Sequence, residues 1–307
     1  MNYINRIFNV LKSPRRICLL LLNKFGSFLN DENFVKIHYW LSMGKKLNLK
    51  NPQTYNEKLN WIKLYDHNPL YTVLVDKFEV KAWIANQIGS QYIIPTIGVW
   101  NKAEDIDWES LPNQFVLKTT HGGCGDGVVV CKNKNDVDKS LIISKLSKSL
   151  KTNPYLRLRE WPYKNVKPRI IAEVYLEDSS TRELRDYKFF CFNGEVKTMF
   201  VATERQKEGE EVKFDYFDAN FNHLDLRQRH PMSETIIQKP SCFEQMKDLS
   251  SKLSKGLTAV RCDFYEVNGK VYFGELTFFH HGANTPFYPE SWDLEWGKWI
   301  KLPTELK

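Results

Sequence analysis

A chain of 307 residues, 42% apolar and 26% charged, is composed like a soluble globular protein and not like a disordered or collagenous one. It is long enough for one large domain or two interleaved ones, and to bury a core without staples. Forty-four basic residues against 37 acidic ones give a net charge of +7. Much of that charge lies in patches. Residues 1–30 hold Arg6, Lys12, Arg15, Arg16 and Lys24 and no acid, while 132–169 carries eleven Lys/Arg against Asp136, Asp138 and Glu160. Patches of one sign point to anionic partners such as a nucleotide phosphate, an acidic glycan or an anionic lipid. No recognisable nucleic-acid motif accompanies them, so nucleic acid is not an expected partner. The longest apolar run, residues 17–22, is far short of the roughly 20 residues that span a bilayer. Six cysteines without a CxxC pair read as reduced thiols in a cytoplasmic protein.

The basic N-terminus lacks a small-residue cleavage site, since Asn23-Lys24 follows Leu22, so a signal peptide is not expected. Residues 1–50 read as a basic helical segment. Its stretch 4–22, interrupted at Ser13-Pro14, could lie along an anionic membrane surface. Thr54 followed by Glu57 is a helix start, with Leu59, Ile62 and Leu64 as an apolar stripe over 54–66. A second helix is expected over 71–88, ending at Gly89. A strand-like stretch over 92–100 is broken by Pro95, and a short strand covers 113–118. Four glycines in the six residues from Gly122 to Gly127 separate it from an apolar strand at 128–131. A basic helix over 139–151 and a strand over 169–174 follow. Hairpins are expected around Asn193-Gly194 and Asn268-Gly269, with a helix over 241–257 between them. A Trp-rich helix, 291–299, ends the chain. Alternating elements with paired hairpins predict an α+β fold with antiparallel sheets.

Lys118 and the glycine loop after it, His121 to Gly127, could cradle phosphates through backbone N–H groups. They could also be a plain flexible turn. No GK[ST] follows and no helix starts there, so the loop is neither a Walker nor a Rossmann turn. Asp263 and Glu275 sit on successive strands and could share Mg²⁺, which prefers oxygen ligands, or could be solvated. A two-residue Asn268-Gly269 turn pairs Asp263 with Gly274 and turns Glu275 to the other face. A three-residue loop, or a bulge of equal effect, sets Asp263 opposite Glu275 and Arg261 opposite Thr277. Asp186, opening a strand, could accept from a ribose hydroxyl or form a surface ion pair. Adjacent His280 and His281 are not expected to be zinc ligands, and one of them is a candidate substrate contact.

In order and spacing, several stretches resemble the ATP-grasp superfamily, and most closely its TupA-like family, over roughly residues 50 to 290. They are residues 51–61, Asp76-Lys77, residues 115–123, 159–164 and 186–194, Arg261-Cys-Asp263 and Gly274-Glu275-Leu-Thr277. Members of that family are associated with teichuronopeptide and other surface-polysaccharide biosynthesis. The resemblance implies an N-terminal subdomain at 51–112 and two α+β ATP-grasp subdomains, a lid at 113–178 and 179–307 with the metal site, gripping ATP between antiparallel sheets. It implies that Lys77 and Lys118 contact ATP, and that His121, Gly122, Gly123, Gly125 and Gly127 close over the phosphates. It places Glu173, Tyr175 and Leu176 at the adenine, Asp186 at the ribose and Lys188 at a phosphate. Arg261 would face the transferred phosphoryl group, and Asp263, Glu275 and Thr277 would hold Mg²⁺. Thr277 stands where many relatives have Asn, which puts a second metal site in question.

The implied reaction is ATP-dependent ligation of a carboxylate to an amine through an acylphosphate, on a surface or capsular polysaccharide or its precursor. The implied location is the cytoplasm, peripheral to the inner membrane face. Rival readings are a nucleotide-sugar glycosyltransferase, a sugar kinase and a non-catalytic binding module. Asp105-Ile-Asp107 and Asp136-Val-Asp138 carry the letters of a transferase metal motif, but in polar, helix-capping surroundings.

Overall fold

The computed structural model describes residues 13–122, 125, 127–179, 183–204 and 211–304. The first helix, α1 (Pro14–Phe25), starts at Pro14, whose fixed φ suits a first helical turn. The part of the expected surface helix before it lies outside the described residues. Leu20, Leu21, Phe25 and Phe28 are exposed beside Arg16 and Lys24. A second helix, α2 (Asp31–Met43), follows, capped by Asn30. In α3 (Tyr55–Tyr65) the expected start holds: Glu57 N donates to Thr54 Oγ1 at 3.2 Å, and Thr54 N donates to Glu57 Oε2 at 3.1 Å. Such a cap is worth about 1 kcal/mol.

The expected helix over 71–88 is two helices, α4 (Leu70–Val75) and α5 (Glu79–Ile88). Asp76 makes the break. Its Oδ1 accepts from the backbone N–H of Phe78 at 2.8 Å and of Glu79 at 3.2 Å, so a side chain competes with the helical ladder. Lys77 N donates instead to Thr120 O at 3.0 Å, and Arg169 Nη2 fixes Asp76 Oδ2 at 2.8 Å.

Two antiparallel sheets follow. The smaller has the order β1 (Thr96–Trp100), β4 (Ile170–Val174), β2 (Phe115–Thr119), β3 (Val128–Cys131). It takes in β1, which lies upstream of the boundary expected at residue 113. The sequence suggested a strand over 92–100, but a 3-10 turn at Ser90–Tyr92 and Pro95 delay it to Thr96. Two helices, α6 (Lys139–Leu150) and α7 (Pro154–Leu158), lie between β3 and β4. Asp138 caps α6 through Leu141 N, and Asp107 accepts from Glu109 N and Ser110 N. The two Asp-x-Asp triplets therefore supply turn and cap residues.

The larger sheet runs β7 (Lys213–Asp218), β6 (Glu195–Thr203), β5 (Asp186–Phe192), β8 (Ala259–Val267), β9 (Lys270–Thr277). One face carries α8 (Phe243–Leu253), whose Ser250 carbonyl accepts from the thiols of Cys191 and Cys262. The other face is covered at one end by α3 and by α9 (Ser291–Trp299). There Trp296, fully buried, lies 4.7 Å from Phe190 and 5.2 Å edge-on from Tyr55. Aromatic packing of this kind adds about 1 kcal/mol per pair to area burial. The uncovered end of that face, at Asp186, Lys188 and Asp263, looks toward the small sheet. Among the described residues no helix is long and apolar enough to cross a membrane, and the cysteines are free thiols.

Candidate active site

A cleft between the sheets is lined from both sides. Lys118, Val128 and Glu173 come from the small sheet; Asp186, Lys188, Tyr265, Gly274 and Glu275 come from the large one. Lys77, Val80 and Lys81 reach it from the break and from α5, with Ile93, Ile94, Gly122 and Gly125 closing it.

On the small-sheet wall one carboxylate serves two cations. Glu173, opposite Val116 on β4, accepts from Lys118 Nζ at 2.6 Å and from Lys81 Nζ. Burial works to raise the Glu173 pKa, but the two ammonium groups outweigh it, so it lies below the usual carboxylate range. Lys77 Nζ donates to Gly122 O. Burial lowers its pKa, offset in part by Glu275 across the cleft.

The large-sheet wall is acidic. The turn at Asn268-Gly269 has two residues, with Val267 paired to Lys270. Gly274 is then an extra residue on β9, and beyond that bulge Asp263 opposes Glu275 and Arg261 opposes Thr277. Directly opposed residues share a face. A Cβ at Gly274 would lie 3.1 Å from Asp263 O and 3.2 Å from the Tyr265 ring, so glycine suits the kink. Arg261 Nε and Nη2 grip the two oxygens of Asp263 at 2.7 Å each. Nη2 also reaches Thr277 Oγ1 at 3.0 Å and Glu275 Oε1 at 3.3 Å. Lys188 Nζ donates to Asp263 Oδ2 and lies 3.4 Å from Asp186 Oδ1. Burial lowers the Lys188 pKa against the pull of Asp263. Burial also works to lower Arg261, but Asp263 and Glu275 leave it raised. Asp263 is buried, whereas the Glu275 side chain is 42% exposed.

The sequence profile of the TupA-like ATP-grasp family matches residues 57–301. The chain belongs to that family. Solved structures similar to this TupA-like chain include D-alanine–D-alanine ligase from Bacillus anthracis, at 19% identity and a TM-score of 0.40 over 67% of this chain and 57% of that one. The D-alanine–D-alanine ligase from Helicobacter pylori has 16% identity and a TM-score of 0.40 over 80% and 69%. The ATP-grasp ligase PsnB, with a minimal precursor bound, has 11% identity and a TM-score of 0.40 over 72% and 59%. The chain thus spans little more than half the length of the Bacillus anthracis ligase. No curated protein sequence matches it.

Of the residues singled out from the sequence, the cleft brings together Lys77, Lys118, Gly122, Gly125, Glu173, Asp186, Lys188 and Glu275. Arg261, Asp263 and Thr277 join them through the hydrogen bonds above. His121 and Gly127 lie elsewhere. His121 Nε2 bonds to Ser149 O and Thr152 O at the end of α6, and burial lowers its pKa. A Cβ at Gly127 would strike Ser149 Oγ and Thr119 Oγ1, so that glycine permits close packing on α6. Tyr175 and Leu176 are not among the cleft residues, and Tyr175 lies near Lys132 instead. Gly123 lies outside the described residues. Sequence reasoning passed over Lys81 and the apolar lining of Val80, Ile93, Ile94 and Tyr265. Lys81 was signalled by its spacing of four from Lys77, which suggests one helical face.

Proposed function

We propose that the protein is an ATP-dependent carboxylate–amine ligase. The observation that carries this reading is the pairing of two opposed walls: Lys81 and Lys118 on Glu173 with Lys77 beside them, against Asp263 and Glu275 in register with Arg261 and Lys188. The lysine wall suits a triphosphate, whose oxygens would take over Lys77, Lys81 and Lys118. Val80, Ile93, Ile94 and Tyr265 suit the base, and Asp186 a ribose hydroxyl.

The acidic wall offers only oxygen donors, Asp263, Glu275 and Thr277. Among the described residues no three His, Cys, Asp or Glu side chains converge on a metal position. Two carboxylates and a hydroxyl fit Mg²⁺, which keeps waters and shares phosphate oxygens, better than they fit zinc. Bound there, Mg²⁺ would neutralise phosphate charge. In the reaction a substrate carboxylate oxygen attacks the γ-phosphorus. An O–P bond forms, the bond to the ADP oxygen breaks, and ADP leaves. An amine then attacks the acyl carbon, inorganic phosphate departs and the amine loses a proton. Lys188 and Arg261 would hold the transferred group in line, so the protein acts by positioning and charge neutralisation.

The acid or amine is proposed to be glycan-linked, with an amino-acid-like amine, in line with the basic patches and the family. Residues 113–178 are proposed to close as a lid. The exposed apolar side chains of α1, with Arg16 and Lys24, are proposed to give weak contact with an anionic membrane face in the cytoplasm. ADP release from ATP and Mg²⁺ over a panel of uronic acids and amino acids tests the main reading. A ligase needs both an acid and an amine for full turnover. A sugar kinase turns over without the amine, and a glycosyltransferase leaves ATP intact; either result overturns the ligase.

A further inference from the structure

The helix break that presents Lys77 to the cleft belongs to a closed circuit of hydrogen bonds. Lys77 N donates to Thr120 O at 3.0 Å, and Thr120 N donates in turn to Arg169 O at 2.8 Å. Arg169 Nη2 donates to Asp76 Oδ2 at 2.8 Å, and Asp76 precedes Lys77 in the chain. Thr120 Oγ1 adds two cross-ties. It accepts from Arg169 N at 3.2 Å and donates to Lys167 O at 3.1 Å.

Three elements meet in this circuit. Thr120 is the first residue past β2, Arg169 is the last before β4, and Asp76-Lys77 stands between α4 and α5. The two strand ends are neighbours in the small sheet, where Thr119 pairs with Ile170. Two residues beyond Thr120 lies Gly122, whose carbonyl accepts from Lys77 Nζ. The backbone of Lys77 and the start of the glycine loop are thus fixed relative to each other, and both line the cleft. Arg169, which closes the circuit, does not line it.

The break stands against local preference. Apolar periodicity runs through it, and in an unbroken helix Lys77 N would bond to Val73 O, four residues back. Its side chain would then follow the helical rotation instead of turning to the cleft. Asp76 prevents this by taking the N–H groups of Phe78 and Glu79. Its carboxylate is 3% exposed, and a buried charge is tolerated only when paired. Arg169 is its one ion-pair partner among the described residues. The guanidinium lies over the Phe78 ring at 4.7 Å, and Nη2 also meets the half-exposed Glu79 at 2.8 Å. Burial works to lower the Arg169 pKa, but Glu79 and Asp76 leave it raised.

We propose that Arg169 is a positioning residue for the nucleotide: by neutralising Asp76 it keeps the helix broken, and so holds Lys77 and the glycine loop where one triphosphate meets both. The assignment rests on the ligase reading and deepens it. Arg169 acts through Lys77 and not on the phosphates, so most of its worth to binding vanishes once Lys77 is gone.

Calorimetry of AMPPNP with Mg²⁺ tests this on four full-length chains: unaltered, Arg169→Met, Lys77→Ala and both together. Methionine keeps an apolar stem over Phe78 and removes the charge. Arg169→Met is expected to weaken binding about tenfold on its own, and about twofold or less beside Lys77→Ala. Arg169→Lys is expected to recover most of the loss, because a single nitrogen, Nη2, makes both ion pairs and an ammonium can replace it. Glu79→Gln, at the half-exposed partner, is expected to leave affinity as it was. If Arg169→Met fails to fold, Asp76→Asn takes its place, since it keeps an acceptor for Phe78 and Glu79 and loses the ion pair. Either variant, folded and binding AMPPNP as tightly as the unaltered chain, overturns the proposal. So does an equal loss with and without Lys77, a loss that Arg169→Lys leaves in full, or an equal loss from Glu79→Gln. Failure of the unaltered chain to bind AMPPNP overturns the ligase reading itself.

Discussion

The two walls of the cleft answer opposite needs. On the small-sheet side of the cleft Lys118, Lys77 from the α4–α5 break and Lys81 from α5 together outnumber Glu173; on the large sheet Asp186, Asp263 and Glu275 outnumber Lys188 and Arg261. The first wall carries excess positive charge before any ligand arrives, and the second carries excess negative charge. Their cores differ as well. The large sheet is packed on both faces by aromatic side chains, whereas the small sheet rests on a modest cluster around Phe115, Leu117, Ile142 and Leu146. A light wall with spare cations beside a heavy wall with spare anions suggests that the light one moves and that a cation with phosphate joins them.

The largest expected break comes from Glu275→Gln, which removes a charge from the acidic wall without removing volume. Turnover is expected to fall about a hundredfold or more, with the thermal midpoint unmoved because this side chain is half exposed. A normal rate in this variant would take Glu275 out of the metal site. Lys118→Ala attacks the other wall. ATP affinity is expected to drop about tenfold or more, from the loss of a charge-assisted bond worth about 1.5–3 kcal/mol. Unchanged calorimetric affinity would remove Lys118 from the phosphates.

Acid tests the heavy wall's frame. His38, lowered to about 4, and His281, lowered to about 3, are held neutral mainly by burial. Between those values and about 6.5 the unfolded chain binds more protons than the folded one. Stability is therefore expected to fall as pH drops through that window, by up to about 1.4 kcal/mol per pH unit for each histidine. Urea midpoints flat from neutral pH to about 5 would contradict this. Amide exchange at Lys118–Thr120 and Val128–Cys131 is expected to slow with AMPPNP and Mg²⁺ more than in β5 and β8; equal protection would deny the lid. The smallest effect concerns α1. Leu20→Ser with Leu21→Ser is expected to lower co-sedimentation with anionic liposomes at low salt while ADP release is kept. Unaltered sedimentation would argue against a membrane face.

Strand alternation and turn chemistry made much of this legible. The Thr54–Glu57 box and both Asn-Gly turns are local patterns, and local patterns survive translation into structure; the facing of Asp263 and Glu275 was one of two registers the sequence left open, and the bulge at Gly274 decides it. The break at Asp76-Lys77 was not read, because apolar periodicity runs on through it and only the Asp76 side chain, fixed by the distant Arg169, halts the ladder. Membership of β1 in the small sheet depends on pairing with β4, some seventy residues on. His121 and Gly127 sit in a glycine-rich loop that looks like a phosphate cradle, yet their partners on α6 are tertiary. Lys81 was passed over although its ion pair with Glu173 completes the cationic wall.

The bulge at Gly274 gives the β8–β9 hairpin one residue to spare, and where that residue sits works like an index mark. With the spare residue at Gly274, or moved to the turn as a three-residue loop, Asp263 still meets Glu275. The three residues from Val271 to Phe273 do not share that indifference: each would change faces if the spare residue moved, and Lys270 would leave the ladder for the loop. Phe273, now 6.0 Å edge-on from Phe264 and bridged to Ile93, would turn away from both. The metal end of the hairpin is therefore insensitive to a slip that would rebuild its far end, so the two halves of one strand can drift apart in sequence, one pinned by chemistry and the other free to be refitted to a different base or neighbour.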